Sequence, residues 1–193
     1  MAGLGALILT VGPSGAGKDA LIAGAMQRLG GTGRFHVARR AVTRPEGAGG
    51  EDHIPMTPEA FAQAEADGGF LLSWRAHGLC YGIPREPASR MRETGVAVIA
   101  NVSRTVLEAA RSRLQPIAIV HVTAPPEALA RRLAQRGRET AADIKTRIAR
   151  SATIAVAGCD VHVVRNDGDL NAGITAMTAA LEAASTAEWQ AAE

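Results

Sequence analysis

Residues 12–20 read GPSGAGKDA, and this stretch decides how the rest of the chain is organised. Gly12, Gly15 and Gly17 let the backbone wrap with its amides turned inward. Those amides, with Pro13, Ser14 and Ala16 between them, join the N-terminus of a following helix in a nest for anions. Lys18 then reaches the β- and γ-phosphates of a nucleotide. The context supports this over an incidental glycine-rich turn. Leu4 to Val11 is a short apolar run that suits a buried parallel strand, and Lys18 to Leu29 reads as a helix stopped by Gly30 and Gly31. One residue departs from the usual pattern. A hydroxyl residue normally follows the Lys and reaches a magnesium ion, and here Asp19 stands in that place. Two readings of Asp19 remain open. An acidic residue in the first helical turn complements the helix dipole. A carboxylate is also the hard oxygen donor that Mg2+ prefers. The later strand 96–101, VAVIAN, ends in neutral Asn101 where phosphate-loop enzymes commonly keep a metal-binding Asp. The acidic contact is therefore expected to have moved to the loop.

The chain has 193 residues, room for one domain with a lid. Hydrophobic residues make up 47% and aromatics only 3%, so the core is expected to be aliphatic. A net charge of +2 gives no electrostatic footprint for nucleic acid, and aromatics for base stacking are scarce. Lys18 and Lys145 are the only lysines beside nineteen arginines. A slim ammonium in the loop is thus not an accident of composition, because the planar Arg fork does not replace a point charge. Cys80 and Cys159 lack metal spacing and read as reduced thiols of a cytoplasmic protein. No stretch reads as a signal peptide or a membrane span.

Strands are expected at 35–42, 70–76, 79–81, 96–101, 117–122 and 161–164. Helices are expected from Thr57-Pro58 to Gly68, over 87–94, from Ser103 to Arg113, and over 126–136, 141–153 and 170–183. The glycine-rich stretch 43–52 reads as a surface loop. Alternation of strands and helices predicts an α/β fold with a central parallel sheet flanked by helices. A segment from about 35 to 90 interrupts it as an inserted acceptor-binding lobe. Residues 1–184 form one domain, 131–150 a lid region, and 185–193 a frayed tail.

The segments GPSGAGK, TRP (43–45), EDH (51–53), WRAHGLCYG (74–82), RGRET (136–140) and RNDG (165–168) resemble, in order and spacing, those of the guanylate kinases. The resemblance runs from about residue 5 to 170. It is closer still to the ribose 1,5-bisphosphate phosphokinases of phosphonate breakdown, in which Asp follows the loop Lys. It implies a P-loop kinase fold with an arginine lid, ATP and Mg2+ as cofactors, and transfer of the γ-phosphoryl of ATP to ribose 1,5-bisphosphate. The product, 5-phosphoribosyl 1-diphosphate, re-enters nucleotide and NAD synthesis. The partner is then a small sugar bisphosphate, with no nucleic acid and no membrane; a homodimer stays open.

The same resemblance suggests site residues. Arg44 matches the first of two phosphate-holding arginines, and position 47, the second, is Gly. Asp52-His53 stands where the nucleotide kinases have Asp-Tyr. Ser73 replaces the acidic residue that reads the guanine edge, and Tyr81 matches a tyrosine on the acceptor phosphate. Packing is an equal reading for Tyr81, and loop capping one for His53. With Asn101, these form the expected acceptor site. Arg136 and Arg147, with Arg138 as a further candidate, are expected to grip the transferring phosphoryl from the lid. Arg131, Arg132 and Arg150 read as surface or adenine-flanking. Asn166, with Asp167 and Gly168, either lines the adenine pocket or forms a turn. The alternatives are another phosphate kinase, guanylate kinase first among them, and a binding module without catalysis. The retained Lys18 and lid arginines speak against the latter.

Overall fold

The computed structural model describes residues 3–45, 52–135, 140–152 and 155–186. Five parallel strands form the central sheet: β1 (Leu7–Val11), β2 (Phe35–Val37), β7 (Ala97–Asn101), β8 (Ile117–Thr123) and β9 (Val161–Arg165), in the order β2-β7-β1-β8-β9. β1 and β7 are buried at every residue, as their unbroken apolar runs require. Helices α1 (Lys18–Arg28) and α7 (Leu170–Ser185) cover one face, where Ile8, Leu21, Ile99, Val120, Met177 and Leu181 share a cluster. α6 (Ala141–Ala152) follows α5 (Pro126–Gln135) and packs on it.

The inserted lobe is a second sheet of four strands, β4-β3-β6-β5. It comprises β3 (Arg40–Val42), β4 (His53–Pro55), β5 (Phe70–Ala76) and β6 (Leu79–Pro84), with α2 (Pro58–Ala66) between β4 and β5. Thr57 caps α2, its side chain accepting from the Ala60 amide at 3.1 Å, with Pro58 in the first turn. His77 and Gly78, both at positive φ, make the two-residue β5–β6 turn. Trp74 stacks on Tyr81 with ring centres 5.4 Å apart, and both join Leu7, Leu9, Val11 and Val106 in one cluster. The lobe and the central sheet therefore share an apolar core.

The expected strand 35–42 is corrected. It is two strands in two different sheets, because the chain leaves β7 after the Ala38 amide bonds Ile99 O and then pairs with β6 and β4. The lobe sheet accordingly spans 40–84, narrower than expected. α3 (Arg85–Glu93) packs against β5 and β7. Ser103 caps a 3-10 turn over Arg104–Val106 that leads into α4 (Leu107–Arg113), instead of capping the helix directly. β4 is three residues ending in Pro, too short for a periodic signal.

Arg92 on α3 is buried, and burial holds its pKa below the ordinary arginine value. It donates to the carbonyls of Gly5, Leu114, Gln115 and Pro116 at 2.8–3.1 Å, pinning the entries of β1 and β8. Arg92→Met is expected to cost about 3 kcal/mol in urea denaturation, because charge-assisted hydrogen bonds are lost from buried carbonyls. A loss below about 1 kcal/mol would show that water replaces the guanidinium.

Candidate active site

The loop Gly12–Gly17 leaves β1 at the carboxyl end of the sheet, the usual ligand edge of an open parallel sheet. Gly12 is obligatory. Its φ is +145°, and a Cβ there would run into the Val122 carbonyl oxygen of β8. Gly17, at φ +88°, is the N-cap of α1 and offers no side-chain cap, so the first amides of the helix remain for an anion. Lys18 folds over the loop, Nζ donating to Gly12 O at 2.9 Å and Pro13 O at 3.0 Å.

Asp19 stands at the second position of α1 with its side chain 63% exposed. The Asn101 amide donates to its Oδ1 at 2.6 Å. The loop and the end of β7, linked by the sequence only through a missing acid, are thus in direct contact. A magnesium ion takes one or two carboxylates and fills its shell with waters and phosphate oxygens. An exposed carboxylate beside the phosphate nest fits that donor set. No group of three or more His, Cys, Asp or Glu suited to a metal occurs among the described residues.

Asn166 follows β9 and is 3% exposed. Its Nδ2 donates to Ala16 O at 2.7 Å, and Arg132 on α5 donates to Asn166 O at 3.2 Å and to Gly15 O at 3.4 Å. Arg132 therefore braces the loop from outside and is not a plain surface residue. Gly15, Gly17, Arg132, Gln135, Asn166 and Gly168 line a cleft of about 420 Å³ next to the loop. Asn166 stands in the turn before α7 and lines this cleft.

The expected acceptor residues divide into two groups. Val42 pairs with Tyr81 across the lobe sheet, and Trp74 also pairs with Tyr81, so these three side chains share the face toward the central sheet. Arg40, two residues before Val42, lies on that face too. Its side chain is 15% exposed; Nη1 donates to Asn101 O at 3.3 Å, and Nη2 lies 3.8 Å from Asp19 Oδ1. Burial lowers the Arg40 pKa, Asp19 and Tyr81 oppose that shift, and the Arg44 guanidinium adds to it. His53 pairs with Arg40 in register, is 3% exposed, and meets Arg44 O at 3.2 Å through Nε2. His53 thus fastens the corner that carries Arg44.

Ser73 lies elsewhere. It pairs with Gly82 and points to the opposite face from Tyr81, where its hydroxyl donates to Glu65 of α2 at 2.6 Å. The expectation that Ser73 and Tyr81 line one site is corrected by this register: neighbouring residues of a strand face opposite ways. Arg75 grips the same Glu65 at 2.6 and 3.1 Å. Asp52 is also turned outward, in an exposed ion pair with Arg39 at 2.7 Å. Arg136 and Arg138 lie outside the described residues, and Arg147 belongs to α6.

Two residues carry no motif signal yet border the loop. His121 of β8 is in register with Val11, and Arg104 follows β7. Burial first, then the Arg104 and Lys18 charges, lowers the His121 pKa. Only strand register would have found it. Arg40 was legible only through the alternation that places it with Val42.

The guanylate kinase family matches over residues 5–184. A ribose 1,5-bisphosphate phosphokinase PhnN from Agrobacterium fabrum is 45% identical over 94% of this chain and 100% of its own length. A bifunctional ribose 1,5-bisphosphokinase-thymidine phosphorylase from Cupriavidus pinatubonensis is 45% identical over 92% of this chain, which spans 29% of that protein. The crystal structure of guanylate kinase from Anaplasma phagocytophilum superposes with a TM-score of 0.66 at 16% identity, covering 96% of this chain and 88% of that one. It bears on the fold alone. No helix among the described residues is long and apolar enough to cross a membrane.

Hydrogen bonds from Arg75 and Ser73 hold the Glu65 carboxyl at about 2, below its ordinary 4.5. The folded-state pKa is the lower one, so the network stabilises the fold above pH 4.5 and loses that contribution as pH falls toward 2. Glu65→Gln is expected to flatten the stability–pH curve in this acid window and to leave its slope above pH 5 unchanged. The effect is small because the pair is solvent-screened. A curve with wild-type slope between pH 4.5 and 2 would overturn it.

Proposed function

We propose that this chain, which belongs to the guanylate kinase family and within it to the ribose 1,5-bisphosphate phosphokinases, transfers the γ-phosphoryl group of ATP to the 1-phosphate of ribose 1,5-bisphosphate. An oxygen of that phosphate attacks the γ-phosphorus, the bond to the β–γ bridging oxygen breaks, and ADP leaves. The product is 5-phosphoribosyl 1-diphosphate. The attacking oxygen is anionic near neutral pH, so no general base is needed and positioning with charge neutralisation carries the rate.

The chain's residues divide this work. The loop amides and Lys18 hold the nucleotide phosphates, and the cleft beside Arg132 and Asn166 takes the adenosine end. Arg44 and Tyr81 hold the acceptor phosphate, with His53 fixing the corner behind Arg44. Arg136, Arg138 and Arg147 supply lid charge to the transferring group, and lid closure excludes water. Asp19 would hold a magnesium ion, which neutralises phosphate charge when bound. Asn101 keeps that carboxylate in place. The observation that favours a sugar bisphosphate over GMP is the commitment of Ser73 to Glu65. The position that reads guanine in the related kinases is neutral here and faces away from Tyr81. A cytoplasmic setting and a place in phosphonate use accompany the reading.

Purified protein with ATP and magnesium, offered ribose 1,5-bisphosphate or GMP, is expected to give new diphosphate signals in phosphorus NMR with the ribose compound alone. GDP formation would instead make the chain a divergent guanylate kinase. Turnover of neither would leave a binding module.

Asp19→Ala is expected to raise the magnesium concentration needed for half-maximal rate at least tenfold, roughly the cost of one charged ligand. Asp19→Ser with unchanged magnesium dependence would leave Asp19 as a helix-dipole residue only.

A further inference from the structure

We propose that Gln135 and Leu170 form the base-reading end of the nucleotide site. Leu170 lies against the flat face of the purine, and the Gln135 amide reads the 6-amino group and N7, which favours ATP over GTP. The inference deepens the function proposed above and rests on its nucleotide site, to which it assigns two residues that no motif marks.

Three observations lead there. The first is continuity. The cleft of about 420 Å³ takes its lining from the phosphate loop, through Gly15 and Gly17, and also from Ala20, Gln135, Gly168 and Leu170. A nucleotide held by its phosphates in the loop extends its base into this space, whose volume suits a small ligand.

The second is an apolar wall left in the open. Leu170 is 52% exposed, although it is a large hydrophobic residue, and it belongs to none of the core clusters. Asp169 caps α7 by accepting from the amides of Asn171 and Ala172, which fixes Leu170 as the first residue of the helix. A side chain there leans toward the helix N-terminus, over the turn 166–168. Ala20 of α1 adds a second exposed apolar group to the cleft. Apolar surface kept out of the core and set on a cleft wall suits the face of a base, which gains by leaving water.

The third is the accounting of polar groups. Asn166 donates to Ala16 O, and Arg132 donates to Gly15 O and Asn166 O, so these two side chains are committed to holding the loop. Gln135 ends α5 with an exposed side chain that makes no hydrogen bond among the described residues. Its carboxamide presents an acceptor and a donor side by side. Along one edge of adenine the 6-amino group donates and N7 accepts, which is the complementary pair. Guanine offers two acceptors on that edge, so one of the two bonds is lost. No carboxylate lines the described cleft to attract the N–H groups of guanine on its other edge.

The test measures nucleotide binding to the full chain, by titration and by the rise in Tm. The probes are ATP, GTP, purine riboside triphosphate (which lacks the 6-amino group) and 7-deaza-ATP. Wild type is expected to bind each of the last three about 3- to 10-fold more weakly than ATP, the worth of one hydrogen bond. Gln135→Leu is expected to bind ATP and both ATP analogues alike within about twofold, because the partner of the deleted groups is gone. Leu170→Ala is expected to weaken all four about 3- to 10-fold and to keep the discrimination, since it removes buried apolar area alone. The KM for ribose 1,5-bisphosphate should stay within about twofold of wild type in both variants.

Wild-type protein that binds ATP and both analogues equally would overturn the role of Gln135. So would a Gln135→Leu variant that discriminates as wild type does. Unchanged affinities in Leu170→Ala would overturn the apolar contact. If Gln135→Leu does not fold, Gln135→Glu decides: it keeps the acceptor for the 6-amino group and must lose the preference for N7. Wild type that shows the expected binding pattern without turning over ribose 1,5-bisphosphate overturns the proposed acceptor and leaves the base site standing. Turnover without discrimination among the nucleotides does the reverse, and protein that binds no nucleotide overturns both.

Discussion

The bond from the Asn101 amide to the Asp19 carboxylate, 2.6 Å long, joins parts of the chain that are 82 residues apart. On one side is the first turn of α1, and with it the phosphate loop. On the other is the end of β7, from which the chain turns into the segment that carries Arg104. The Arg40 guanidinium lies against both partners, so the lobe is registered on the same point. A charge-assisted hydrogen bond suits this duty, being directional as well as strong. The rest of the site is arranged around it: Lys18 on one flank, Tyr81 with the Arg44 corner on the other, and the Asn166–Arg132 brace behind the loop.

The middle of the central sheet, β1, β7 and β8, was legible in the sequence because these strands are nearly continuous apolar runs. The loop was legible for the same reason, reinforced by one of only two lysines. The lobe was less so. FHVARRAV reads as one strand because its polar and apolar residues do not announce that the chain changes sheets between Ala38 and Arg40. That change depends on hydrogen-bond partners supplied by β6, about forty residues further on, and local pattern does not encode them.

The site residues divide along the same line. Gly12, Lys18, Asp19 and Asn166 sit next to elements whose ends are set by local sequence, and their neighbours followed. Ser73 was misplaced because facing is a property of register, and a one-residue difference sends a side chain to the other side of the sheet. Arg40 and Arg132 looked like two more arginines among nineteen. What distinguishes them is the backbone they touch, Asn101 O for one and Gly15 O for the other, and neither contact leaves a trace in composition.

The stacking of Trp74 on Tyr81 has an optical consequence. Tyr81 is the only tyrosine of the chain, and the other tryptophan is Trp189, near the C-terminus. In a Trp189→Phe background the ultraviolet emission of the protein comes from one indole, packed on one phenol, in the lobe. The rings lie nearly parallel at 5.4 Å, close enough for the phenol to pass its excitation to the indole, so a change in their overlap alters intensity. The chain thus carries a built-in fluorophore in the inserted lobe, able to report on it without a label.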